Sequence, residues 1–198
     1  MKVLFIKYSY SPNMREHWQY FITIVILALL MIGSAAPSVF AEQQKAGEYQ
    51  VKAACLYNFI NFIEWPPQSS FESSPTITLC IIGDDPFGGA LTDFQNETVR
   101  GKKLLIKHRS SDDLKGCNIL FLPASEKHHA AKIIRSVGKS DVLTVSDIEE
   151  STRQGIIIGF FIEQKKVRFA VNRDTAQQAG LKISAKLLKL AKIIDSEE

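Results

Sequence analysis

Cysteine is scarce in this chain, and none of it is arranged for metal chemistry. The three residues, Cys55, Cys80 and Cys117, form no Cys-x-x-Cys pair and no Cys/His group with zinc-ligand spacing. No Gly-x-Ser-x-Gly turn presents a nucleophilic serine, and Gly83, Gly88 and Gly89 do not have the spacing of a dinucleotide loop. Internal repeats and low-complexity tracts are missing too. Charge of one sign is also lacking: 24 Lys and Arg oppose 21 Asp and Glu. A nucleic-acid footprint needs clustered basic residues and a strong net charge, so nucleic acid is not an expected partner.

What is present first is an apolar run, Phe21 to Ile32, preceded by Lys2, Lys7 and Arg15. Twelve residues fall short of the roughly 20 that span a bilayer. Val39 and Ala41 occupy the −3 and −1 positions of a small-residue cleavage site. The expectation is a secretory signal peptide over 1–41 and a mature chain starting at Glu42, with residues 42–198 as one domain. The stretch before the apolar run is long for a signal, and a start at Met14 gives a more usual layout. Without residues 1–41 the chain has 157 residues, 21 basic and 20 acidic, net +1. That length is enough to bury a substantial core. In an oxidising compartment two of the three cysteines can pair.

Apolar spacing predicts a helix over 46–64 with Val51, Cys55, Phe59 and Phe62 on its apolar face, stopped by Trp65 before Pro66-Pro67. Strands are expected at 76–82, 104–107, 119–122 and 142–145. Between them, helices are expected over 86–95, with Asp85 as N-cap and Pro86 first, and from Ser125 to Val137. Ser146 and Glu149 have capping-box spacing. Ile156 to Ile162 reads as a strand buried on both faces. Gln164-Lys165 turns it into a hairpin with Lys166 to Val171. A short helix over 174–179 and a final helix capped by Ser184 follow. That last helix carries a Lys186, Lys189 and Lys192 stripe that reads as a solvated face. Strands alternating with helices imply an α/β domain of three layers. Its sheet is mostly parallel with about six strands, a late antiparallel hairpin at the edge and helices on both faces.

The acids at the carboxyl end of the first long strand, Asp84 and Asp85, lie where doubly wound folds bind ligands. They could hold a cation, yet the strand at 119–122 ends in Pro123-Ala124, with no acid to complete such a site. Helix capping by Asp85 and turn shaping by Asp84 are the plainer roles. His128 and His129 are adjacent on an expected helix and point apart, and His108 stands alone, so no metal and no cofactor is expected.

Three segments carry a resemblance. They are Val51 to Phe59 with Phe62-Ile63-Glu64-Trp65-Pro66, then Leu79 to Phe87, then Arg168 to Asn172 through Gly180 to Leu188. In this order and spacing they are similar to the YfiR family of periplasmic proteins, over essentially the whole of 42–198. The resemblance implies regulation rather than catalysis. A member of this kind binds the periplasmic sensor region of an inner-membrane diguanylate cyclase and holds it inactive. An outer-membrane peptidoglycan-binding lipoprotein releases the cyclase, cyclic di-GMP rises and biofilm formation follows. It also implies a Cys80–Cys117 disulfide, with Cys55 left as a buried thiol. The expected contact surface is the late hairpin, with Phe160, Arg168 and Ala170, although Phe160 reads equally as core. The oligomeric state stays open, a homodimer included. The rival reading is a ligand-binding domain or enzyme using the Asp84/Asp85 end.

Overall fold

The computed structural model describes residues 13–32 and 36–194, with side chains at 18–27 and from 43 onward. Two units divide the chain, 1–45 and 46–198. The first holds helix α1, Asn13–Ile32, on which Trp18, Tyr20, Phe21 and Ile24 are exposed. Among the described residues no helix is long and apolar enough to cross a membrane. The side chains of Lys2, Lys7, Arg15, Val39 and Ala41, on which the expected export signal rests, lie outside those described.

The second unit is built on an eight-stranded, mostly parallel sheet. Its strands are β2 Thr76–Ile82, β3 Thr98–Val99, β4 Lys102–Arg109, β5 Ile119–Leu122, β6 Leu143–Ser146, β7 Ile158–Glu163, β8 Lys166–Asn172 and β10 Lys192–Ile194. Across the sheet they run β10-β8-β7-β6-β5-β2-β4-β3. β2 is central because it is apolar on both faces and pairs in parallel with β4 on one side and β5 on the other. Ile77, Leu79 and Ile81 enter one core, and Cys80 and Ile82 enter the other. β5 repeats the alternation with Ile119 and Phe121 against Leu120 and Leu122. Helix α2, Ala36–Phe59, covers the first face through Tyr49, Ala53, Leu56 and Phe59. After the one-turn helix α3, Ser70–Ser73, helix α4, Ala130–Val137, covers the second through Ala130 and Ile133. The three-layer α/β class is therefore as expected, with two more strands in the sheet. A second, two-stranded sheet pairs β1 Ile63–Glu64 with β9 Lys182–Ile183.

Several local expectations are corrected. α2 ends at Phe59, because residues 60–62 tighten into a 3₁₀ turn and Ile63-Glu64 join β1. Its buried face is rotated from the expected one: Val51 is exposed and Cys55 half-buried, while Lys52 is buried beside Leu56. No α-helix occupies 86–95. Residues 86–91 form turns and Thr92–Phe94 one 3₁₀ turn, a segment in which Gly88-Gly89 favour turn over helix. The helix expected from Ser125 becomes a 3₁₀ turn at Ala124–Glu126 and α4 five residues late. Ser146 forms no capping box. Its hydroxyl donates to Leu122 O and accepts from Ile148 N, closing the end of β6. The short helix α5, Arg173–Gln178, is capped by Asn172. Ser184 does cap a helix, but α6, Ala185–Leu188, is one turn long. Lys192 to Ile194 then extend as β10, so the lysine stripe is broken. β10 pairs in parallel with Ala170 to Asn172, and the hairpin is not the outermost element there.

The Cys80–Cys117 disulfide is present, joining β2 to the segment entering β5 over a separation of 37 residues. Chain entropy assigns such a loop roughly 4 kcal/mol. Gly83 follows β2 at φ 70°, a left-handed conformation that strains other residues, and a Cβ there would also displace the Glu126 carboxylate.

Candidate functional site

The hairpin turns on two residues, Gln164 and Lys165, at φ 48° and 61°. Two positive φ values match the right-handed twist of the strands. The tight turn fixes the register: Phe160 opposes Phe169, and Phe161 opposes Arg168. Opposed residues share a face, so the two faces differ in character. Ile158, Phe160 and Val171 join the core under α2, where the Phe160 ring stacks on Phe59 at 5.8 Å and Phe59 meets Phe169 at 5.2 Å. Phe161, Arg168 and Ala170 line the other face, together with Lys192, which lies beside Ala170 on β10.

That second face is only partly covered. The 3₁₀ turn Ser151–Gln154 lies over Gly159, where a Cβ would come within 2.9 Å of Thr152 Cγ2 and 3.1 Å of Ser151 Oγ. Asn172 Nδ2 holds the turn down by donating to Thr152 O at 2.9 Å. Beyond the turn, a groove of about 190 Å³ is bounded by Glu149, Phe161, Ala170, Lys192 and Ile194. The Lys192 ammonium sits 6.0 Å over the Phe161 ring, and Arg168 Nε lies 3.9 Å from Glu163 Oε2. The arrangement offers a half-exposed aromatic ring, an exposed guanidinium and a bare strand floor. Aromatic and Arg side chains are what protein interfaces concentrate. Of the expected contact residues, the structure brings Arg168 and Ala170 to this face and places Phe160, 3% exposed, in the core. Phe161 was missed by sequence reasoning, although a two-residue turn with period-2 alternation identifies it as the residue opposite Arg168.

At the carboxyl end of the sheet, Asp84 is exposed, and Asp85 Oδ1 accepts from Phe87 N at 2.8 Å. Asp85 Oδ2 lies 3.6 Å from His108 Nε2, and His129 Nδ1 is 3.0 Å from Glu126 Oε2. His128 is exposed. Among the described residues no group of three His, Cys, Asp or Glu side chains is placed to hold a metal ion. Asp85 thus shapes a turn rather than capping an α-helix.

A buried polar cluster nearby was not anticipated. Lys52 Nζ bonds Asp147 Oδ2 at 2.9 Å, Tyr49 OH donates to the same oxygen at 2.6 Å, and Glu48 completes the set. Burial, followed by the hydrogen bond to Asp147, pushes the Tyr49 phenol well above its ordinary range. The Tyr49 ring also meets Phe87 edge-on at 5.4 Å. The cluster ties α2 to the end of β6. Cys55 is a free, half-buried thiol whose pKa burial raises. A larger hollow of about 470 Å³ opens at the other end of the sheet, between the 111–117 loop and the end of α4, with Cys117 in its wall.

No curated protein matches the chain. Among solved structures, a conserved domain protein from Vibrio cholerae O1 biovar El Tor strain N16961 is 10% identical. That match covers 61% of this chain and 54% of that one at a TM-score of 0.44, so the chain spans about half the length of that relative. The sequence profile described as YfiR/HmsC-like matches residues 49–192, from Tyr49 of the polar cluster to Lys192 of the groove. With well over half of its length matched, this chain belongs to the YfiR/HmsC-like family.

Proposed function

We propose that residues 1–41 direct export and that the 42–198 domain represses an inner-membrane diguanylate cyclase by binding its periplasmic sensor region. A peptidoglycan-binding lipoprotein of the outer membrane is the proposed counter-partner that withdraws the repressor. The observation that carries the docking surface is the half-covered face of the hairpin. Strands at the far side of a mostly parallel sheet are usually covered on both faces. Here Phe161 lines a groove that, among the described residues, only the 3₁₀ turn Ser151–Gln154 flanks, and Arg168 stands opposite Phe161. Family membership and the apolar run before a small-residue cleavage site support the location.

Cellular cyclic di-GMP tests the proposal. Deleting the gene should raise it, and the wild-type gene should restore the low level. An Arg168→Glu protein that is folded and exported should fail to restore it, and Phe161→Ala should fail in the same way. Unchanged cyclic di-GMP after deletion would rule out a cyclase as the partner. Full rescue by both variants would move the docking surface elsewhere.

A further inference from the structure

We propose that the lysine-rich rim formed by the β7–β8 turn and the approach to β10 docks on an anionic lipid surface. The second unit is lopsided in charge. Residues 163–198 carry eight basic side chains against five acidic, three of those acids lying in 195–198, whereas 46–162 carry twelve against fourteen. Register gathers part of that excess in one place. Lys192 lies beside Ala170 in parallel pairing, so Lys189 and Leu190 arrive at the same end of β8 as the turn residue Lys165 and its neighbour Lys166. All four lysines are exposed. Set among them are single aliphatic side chains in water: Leu190 is 72% exposed and Ile162 50%.

The composition favours lipid over protein. The rim segments 163–166 and 189–191 contain no Arg and no aromatic residue. Protein interfaces concentrate aromatic and Arg anchors and are depleted of Lys. Anionic headgroups demand no shape match, attract ammonium groups as point charges, and admit isolated aliphatic side chains at the headgroup boundary. The long lysine stems also let their charges reach phosphates at different depths. Lys192 also bounds the groove of the proposed repressor face, whereas Lys165, Lys166 and Lys189 do not, so charge reversal at those three separates lipid docking from repression.

The test is co-sedimentation of the purified protein with vesicles of phosphatidylglycerol and phosphatidylethanolamine, against vesicles of phosphatidylcholine, over a salt series. Capture by the anionic vesicles alone, falling as salt rises, is the expected result. Lys189→Glu with Lys192→Glu should weaken capture by about thirtyfold or more, and Lys165→Glu with Lys166→Glu likewise. Leu190→Ser should weaken it without changing the salt dependence. Circular dichroism confirms that each variant is folded. Equal capture by phosphatidylcholine, no capture at low salt, or full capture after both charge reversals would overturn the proposal. Binding to polyglutamate without binding to vesicles would assign the rim to an acidic protein segment instead.

Discussion

The ammonium of Lys52 and the carboxylate of Asp147 meet at 2.9 Å, and their side chains are only 5% and 3% exposed. They stand 95 residues apart in sequence, one on α2 and the other just past β6. Asp147 Oδ1 is buried with no hydrogen-bond partner among the described residues, so the carboxylate depends on Lys52 and Tyr49 at its other oxygen. Removing one partner of such a pair leaves an uncompensated buried charge. Lys52→Met should therefore destabilise the protein by about 3 kcal/mol, whereas adding Asp147→Leu should recover much of the loss. Urea titration of the two variants measures both. A single variant within about 0.5 kcal/mol of wild type would show that the pair does not clamp α2.

Alkaline pH should loosen the same cluster. Tyr49 has a raised pKa in the folded state, first by desolvation and then by its bond to Asp147. The unfolded chain, with an ordinary phenol near 10, ionises first. The stabilisation is thus complete below about pH 10 and is lost as pH rises above it. Half-buried Cys55 works in the same direction from its ordinary value of 9.0. Melting temperatures of the wild type should fall steeply above pH 10, and those of Tyr49→Phe less steeply, although that variant starts lower for want of one hydrogen bond. Parallel curves would contradict the assignment.

The hairpin turn is open to improvement. Gln164 and Lys165 both hold positive φ, at 48° and 61°, where Asn-Gly is the favoured pair. Replacing them with Asn and Gly should stabilise the domain by about 1 kcal/mol. For a domain of this size that raises the melting temperature by about 3 °C. An unchanged or lower melting temperature would mean that the turn is already relaxed or that its side chains bond elsewhere.

Sequence patterns carried the sheet better than the helices. β2, β5 and the hairpin were legible because continuous or alternating apolar residues leave few alternatives. The segment after Ser184 misled: Leu187, Leu188 and Ala191 have helical spacing, yet Ile193 and Ile194 extend as a strand. Local propensity there yields to the open side of β8, which offers unpaired backbone groups. On α2 the buried face was misjudged because Lys52 reads as polar, and only a distant acid makes its burial tolerable. The proposed contact face was half legible. Arg168 and Ala170 share a side, but pairing them with Phe160 ignored the turn length, which puts Phe161 opposite Arg168 and Phe160 opposite Phe169. Asp85 was expected to cap a helix over 86–95; no helix follows, and its carboxylate instead accepts from Phe87 N within a turn.

The Cys80–Cys117 link passes over the cysteine that comes first. A chain threaded amino end first into an oxidising compartment delivers Cys55 and Cys80 before Cys117. Oxidation in order of arrival would couple α2 to β2 and leave Cys117 single, which the finished domain does not permit: Cys80 is 0% exposed and already shares its sulfur. The correct bond therefore forms only after β5 has settled beside β2, or after a wrong bond has been exchanged by attack of the remaining thiol. Under the export proposed above, the second route ties maturation to the supply of thiol–disulfide exchange, and a cell deprived of it would retain any wrongly paired domain in that form.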